Sequence, residues 1–87
     1  PGVEGLDDNM LPGYYVVVST CQDLVCARGE QQRFLNDHNL DTEVAINNRK
    51  EFYYVITHKI DDFNQSISTM KDMRKKGHSE AWVLVNK

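Results

Sequence analysis

The sequence predicts an α+β domain with ferredoxin-like topology: a split βαβ repeat that forms a four-stranded antiparallel sheet with two helices on one face. Three observations predict this fold. The hydrophobic periodicity alternates between strand and helix in the order β-α-β-β-α-β. A shift of 39 positions places Tyr14 on Tyr53 and Val44 on Val83, so the two halves resemble one repeated unit. The length of 87 residues suffices for one hydrophobic core.

The first half of the chain contains one βαβ unit. Residues 1–13 are rich in Gly, Pro and Asp, and we expect a flexible linker or lead-in before a domain at residues 14–87. The run from Tyr14 to Val18 is aromatic and β-branched, which predicts a strand that ends in polar residues. The helix that follows has a periodic apolar face, and Asn39 closes it in a left-handed conformation. The residues of that face are Leu24, Ala27, Gln31, Phe34, Leu35 and His38.

The second half repeats this order. Residues 43–47 alternate polar and apolar side chains, residues 47–50 have turn chemistry, and residues 51–57 form another aromatic run, so a hairpin is predicted. Asp62 is the predicted N-cap of the second helix, with Gln65 three residues later and Gly77 as its end. Residues 81–85 form the last strand.

Alternation along the strands assigns side chains to two faces of the sheet. The residues expected to meet the helices are Val16, Val18, Val44, Ile46, Tyr53, Val55, Val83 and Val85. The opposite face then carries large apolar or aromatic residues, where a one-sided antiparallel sheet is usually polar. They are Tyr15, Val17, Phe52, Tyr54, Ile56, Trp82 and Leu84. We expect a ligand, a second copy of the chain or the N-terminal residues Met10 and Leu11 to cover this face.

Composition and motifs exclude several classes of function. The net charge is −3, with −6 on residues 1–48 and +3 on residues 49–87, so a broad positive field for nucleic acid or anionic membranes is lacking. No apolar run is long enough to span a membrane, and we expect no membrane insertion by this segment. Because the chain starts at Pro1 without Met, we expect any targeting segment to lie upstream. The absence of a Gly-rich phosphate loop and of a clear nucleophile and base favours a protein that is not an enzyme and needs no cofactor.

Cysteine and histidine offer few chemical sites. Cys21 and Cys26 permit one disulfide, and two free thiols are an equal alternative. A zinc site from His38, His58 and His78 is disfavoured because their spacing is not typical of metal ligands. A Cys21 nucleophile with a His58 base is the only catalytic pair that the sequence suggests, and it too is disfavoured.

The whole-length pattern resembles the sporulation-related repeat (SPOR) domain, a bacterial envelope module that binds peptidoglycan. The resemblance covers residues 13–86. The family's first-strand pattern, aromatic-aromatic-Val-Gln-Val-Gly-Ser-Phe, is matched by residues 14–21, YYVVVSTC. Its third-strand pattern falls on residues 53–60, YYVITHKI. Gly77 after a basic helix end, followed by AWVLV at residues 81–85, is also typical of the family.

This resemblance implies a non-catalytic module that binds glycan strands stripped of stem peptides, on the periplasmic side of the envelope and at the division septum. The family uses the sheet face away from the helices. Its first-strand Gln and Ser correspond to Val17 and Thr20, and its third-strand aromatic and Arg to Phe52 and Tyr54. With Tyr15 and Trp82 added, the predicted ligand-binding residues are Tyr15, Val17, Thr20, Phe52, Tyr54 and Trp82.

Two other functions use the same topology. A protein-interaction or dimerisation module would cover the apolar sheet face with protein. RNA-recognition motifs stack bases on first- and third-strand aromatics, and residues 50–55 partly resemble their third-strand motif. The acidic first half disfavours the RNA alternative, because a positive field supplies most phosphate affinity. We therefore expect peptidoglycan glycan strands as the partner and no nucleic acid.

Overall fold

A computed structural model describes residues 12–47 and 52–86, and it contains the predicted β-α-β-β-α-β order. Residues 1–11 of the predicted lead-in (1–13) and residues 48–50 of the predicted turn (47–50) lie outside the described residues, and Gly13 belongs to the first strand. The elements are β1 (Gly13–Cys21), α1 (Leu24–His38), β2 (Glu43–Asn47), β3 (Phe52–Ile60), α2 (Phe63–Lys75) and β4 (Trp82–Asn86).

The strands form one antiparallel sheet in the order β2-β3-β1-β4, which confirms the ferredoxin-like α+β fold. β1 and β3 are the central strands, and their Val16 and Val55 side chains are fully buried in the core under the helices. Both helices contribute to that core. Their buried residues in it are Ala27, Phe34, Met70 and Met73.

Helix α1 begins and ends where the sequence predicts. The Asp23 carboxylate accepts a hydrogen bond of 2.7 Å from the Cys26 backbone N–H, which satisfies one of the free donors of the first turn. Asn39 closes the helix at φ 51°, as expected for a residue that tolerates the left-handed region. Two members of the predicted apolar face, Leu35 and His38, are instead exposed, and the buried residues of α1 are Ala27 and Phe34.

The N-cap and the end of helix α2 also follow the sequence prediction. The Asp62 carboxylate accepts a hydrogen bond of 2.8 Å from the Gln65 backbone N–H, as the capping pattern predicts. Gly77 follows the helix at φ 109°, a conformation that side-chain-bearing residues rarely adopt. The adjacent His78 N–H donates to the Met73 carbonyl oxygen at 3.0 Å, and this bond turns the chain back toward the sheet.

The central strands are longer than predicted. β1 continues to Cys21, because Ser19 and Thr20 pair with Val55 and Tyr54 of β3 in spite of their polar side chains. β3 also extends beyond its predicted end at residue 57, to Ile60. Among the described residues, no helix is long and apolar enough to cross a membrane.

Candidate ligand-binding site

Four of the six predicted site residues meet on the sheet face away from the helices. Tyr15, Val17, Tyr54 and Trp82 belong to a second apolar cluster, separate from the core under the helices. Ile56, Leu84 and Ala45 complete it. The face assignment from strand alternation is therefore confirmed for these strands, and Ala45 is a member that the sequence analysis did not include.

The second cluster is far less exposed than expected of an open stacking platform. Tyr15 is 2% exposed, Val17 0% and Tyr54 6%, and the three belong to one packed cluster. This burial raises the pKa of the Tyr15 hydroxyl, while Lys59 lowers it and Asp61 raises it by smaller amounts. These buried side chains therefore support the face instead of presenting a surface for stacking. Met10 and Leu11, which we expected among the groups that could cover this face, lie outside the described residues.

Phe52 and Thr20 are exposed and are not members of this packed cluster. Phe52 opposes Asn47 at the end of the β2–β3 pair, and it is 37% exposed. Thr20 opposes Tyr54 across β1 and β3, so the two side chains share the face away from the helices.

A register irregularity in β1 explains the position of Thr20. The β1–β3 pairing shifts between Val16 and Val17 and again between Val17 and Ser19. Val18 is in the core under the helices, and the neighbouring Ser19 also faces α1, where it bonds Glu30. Two consecutive residues on one face are the mark of a β-bulge, and the bulge returns Thr20 to the opposite face.

Trp82 is the aromatic residue of the second cluster that remains partly accessible. It is the first residue of β4 and opposes Val17 of β1. Its ring meets the Tyr54 ring edge to face, with centroids 5.9 Å apart and planes at 77°. The Asn47 side-chain amide donates a hydrogen bond of 3.3 Å to the Tyr54 hydroxyl. Tyr54 is therefore held from one side and supports Trp82 on the other.

A polar cleft of about 420 Å³ lies beside Trp82. β4 begins opposite Val17, so the last residues of β1 extend beyond the start of β4. The cleft lies between these β1 residues, α1 and the turn before β4. Its lining residues are Val18, Ser19, Thr20, Glu30, Arg33, Glu80 and Trp82. Thr20 and Trp82 were predicted, whereas Ser19, Glu30, Arg33 and Glu80 were missed.

A charged network organises one wall of this Trp82 cleft. The Arg33 guanidinium donates to the two Glu30 carboxylate oxygens, with Nε to Oε2 at 2.9 Å and Nη2 to Oε1 at 3.1 Å. The Ser19 hydroxyl donates to the same Oε1 at 3.0 Å. The bond from Arg33 lowers the pKa of Glu30 most, and the Glu30 carboxylate in turn raises the pKa of Arg33. The i,i+3 spacing of Glu30 and Arg33 on a helix was the signal available in the sequence.

The arrangement is suited to binding a polar ligand with one apolar face. Trp82 offers a flat ring, and the cleft offers hydroxyl, carboxylate and guanidinium groups around it. Cys21 is joined to Cys26 in a disulfide, so it is not a thiol nucleophile for His58 in this state. In the described parts of the chain, no three His, Cys, Asp or Glu side chains are grouped as metal ligands.

Comparison of the chain with protein-family models, with curated proteins and with solved structures returns no match. The fold defines the class, an α+β ferredoxin-like domain with a polar cleft at one end of its sheet.

Proposed function

We propose that this domain is a non-catalytic module that binds peptidoglycan glycan strands, as part of a bacterial cell-envelope protein associated with division. The observation that carries the proposal is the half-buried Trp82 ring at the border of a hydrogen-bonding cleft of about 420 Å³. This size lies within the range of roughly 300–1,000 Å³ that is usual for small-ligand sites. The resemblance of residues 13–86 to SPOR domains supports the same ligand class.

A sugar ring has the chemistry that this site can recognise. One side of a pyranose presents C–H groups that stack on an indole ring, and its edge presents hydroxyl and amide groups that need hydrogen-bond partners. Thr20 provides a hydroxyl on the sheet side of the cleft, and Glu80 provides a carboxylate on the turn side. Val17 and Tyr54 stand where the SPOR family has Gln and Arg. Thr20 and Glu80 supply polar contacts at the edge of this face.

The six predicted residues take different roles in this proposal. Trp82 stacks on the sugar and Thr20 contacts its polar edge. Tyr54 positions the Trp82 ring through their edge-to-face contact at 5.9 Å. Tyr15 and Val17 form the packed base beneath these residues, since both are buried. Phe52 is the first residue of β3, at the same end of the sheet as Thr20, and provides a second exposed ring for a longer strand.

The charges of the cleft favour a glycan over RNA. Glu30 and Glu80 bring two carboxylates, and the Arg33 guanidinium is already bonded to Glu30. A phosphate backbone entering this cleft would meet net negative charge, which opposes the main source of RNA affinity. The two central-strand aromatics on which an RNA-recognition motif would stack bases, Tyr15 and Tyr54, are buried.

Co-sedimentation with peptidoglycan sacculi tests this function. Untreated sacculi are compared with sacculi whose stem peptides an amidase has removed, and we expect preferential pelleting with the stripped material. Trp82→Leu keeps apolar volume against Tyr54 but removes the flat ring, and we expect about tenfold weaker binding. Thr20→Val removes one hydroxyl at equal size, and about fivefold weaker binding is expected.

Val85→Ala is the matched control for these variants. Val85 is on the same strand as Trp82 but is exposed and does not line the cleft. Its binding is expected to equal that of the unchanged protein. Equal pelleting of all variants would contradict the Trp82 site, and no pelleting of the unchanged protein with either kind of sacculus would contradict the glycan function itself.

A further inference from the structure

Two histidine rings meet between the end of α1 and the turn that leads into β4. The ring centroids of His38 and His78 are 4.7 Å apart, and their planes cross at 73°. The Phe34 ring contacts both of them, at 6.1 Å and 5.4 Å between centroids. His78 is 9% exposed, while His38 is exposed on the last turn of its helix.

The backbone around His78 positions one wall of the Trp82 cleft. The His78 carbonyl oxygen accepts a bond of 3.0 Å from the Ala81 N–H, and the Ala81 carbonyl oxygen accepts one of 2.8 Å from Arg74 Nε. Glu80 and Trp82, which line the cleft, are the neighbours of Ala81 on either side. The ring contacts of His78 with Phe34 and His38 therefore join this wall to α1, which also carries Glu30 and Arg33.

The surroundings of His78 disfavour its charged form. Burial lowers the pKa of His78 most, and His38, Arg33 and Lys76 lower it further. These groups come from α1 and from the end of α2, the two helices adjacent to the turn. The Arg33 guanidinium carbon already lies 4.4 Å from the centroid of the Phe34 ring that His78 contacts. A proton on His78 would thus enter a partly buried site next to positive charge.

We propose that the His38–His78 pair is an acid-sensitive latch for the Trp82 cleft. In acid, a proton from solvent charges His78 beside the His38 ring, the two rings separate, and the turn at residues 77–81 moves away from α1 with Glu80 and Trp82. The affinity of the cleft for its ligand falls as a result. This regulation concerns the site of the proposed glycan-binding function and rests on that function for its ligand, but the movement itself does not depend on it.

Trp82 is the only tryptophan of the chain, so its emission reports the latch without any ligand. Emission is recorded from pH 7.5 to pH 5.0, with far-UV circular dichroism to verify that the fold persists. We expect a transition centred below 6.5, the ordinary pKa of histidine. His78→Gln should abolish it, and His38→Gln, at an exposed position, should move the midpoint upward because one positive neighbour is removed. His58→Gln is the matched control and should leave it unchanged.

The affinity for stripped sacculi is then measured at pH 7.5 and at pH 5.0. We expect it to be about fivefold weaker at pH 5.0, at the lower end of typical coupling between linked sites, and independent of pH in His78→Gln. Emission that does not change with pH, or the same transition in His38→Gln and His78→Gln as in the unchanged protein, would overturn the latch. Equal binding at both pH values would also overturn it while leaving the glycan function intact. A normal emission transition without binding at any pH would instead refute the glycan function alone.

Discussion

Substitution of Val17 by alanine measures whether the sheet face away from the helices is a closed core or an open surface. Val17 is fully buried in the second cluster, whereas Val85 on the neighbouring strand is 47% exposed. The two valines have the same chemistry and both lie in β-strands. Their alanine variants therefore differ mainly in burial.

The expected magnitude follows from the groups removed. Val17→Ala deletes two buried methyl-sized groups at about 0.8 kcal/mol each, and the remaining cavity adds to the loss, so we expect about 2 kcal/mol in the free energy of unfolding. Val85→Ala should cost less than about 1 kcal/mol, since half of its side chain already contacts water. With a urea slope of about 1 kcal/mol per molar for a small domain, Val17→Ala should lower the midpoint by about 2 M.

Urea unfolding followed by circular dichroism at 222 nm provides the measurement, because this signal does not depend on Trp82. The control is Val85→Ala under identical conditions. If Val17→Ala costs no more than Val85→Ala, the second cluster is open in solution, and the support of Trp82 by a packed base would be refuted.

Three further outcomes are expected. Gly29→Ala should stabilise the domain by about 1 kcal/mol, because a Cβ at this position in the middle of α1 meets nothing within 4 Å. Gly77→Ala should destabilise it by about 1 kcal/mol, because Gly77 has φ 109°. Thermal unfolding of the two variants should show melting temperatures shifted in opposite directions. Reduction of the Cys21–Cys26 disulfide should lower stability by about 2 kcal/mol, because the unfolded chain regains the entropy that this short loop removes. A Cys21→Ala/Cys26→Ala variant should be insensitive to reductant in the same urea assay. The folded protein binds a proton at His78 more weakly than the unfolded chain does, so stability should be constant above pH 6.5 and fall as the pH decreases below it. Comparison of the urea midpoints at pH 7.5 and 5.0 tests this. The His78→Gln variant should lose the difference between the two midpoints.

The element order could be predicted because the local signals agree with the fold. Asp23 and Asp62 cap their helices, Asn39 adopts the left-handed conformation, and the strands alternate as a two-faced sheet requires. Each of these features depends on residues close together in the chain. Short-range physics is therefore sufficient to identify them.

The site was harder to predict because it depends on pairing between distant residues. The bulge at Val18 and Ser19 arises from the register of β1 with β3, and no local pattern near residue 18 reveals it. Because β4 begins at Trp82, opposite Val17, room remains for the cleft beside the last residues of β1. Glu30 and Arg33 reach the cleft from α1, and Glu80 reaches it from a turn. Strand alternation placed Tyr15 and Val17 on the correct face, but it could not show how completely their neighbours bury them.

Titration of the protein with soluble glycan strands stripped of stem peptides, followed through Trp82 emission at pH 7.5, tests the central claim most directly. Because Trp82 is the only tryptophan and borders the cleft, stacking of a sugar on its ring must change the signal. We predict a saturable change in emission, with an affinity about fivefold weaker in Thr20→Val and unaltered in Val85→Ala. Emission that stays constant up to high glycan concentration, or that responds equally to a single-stranded RNA, would contradict a glycan site at Trp82.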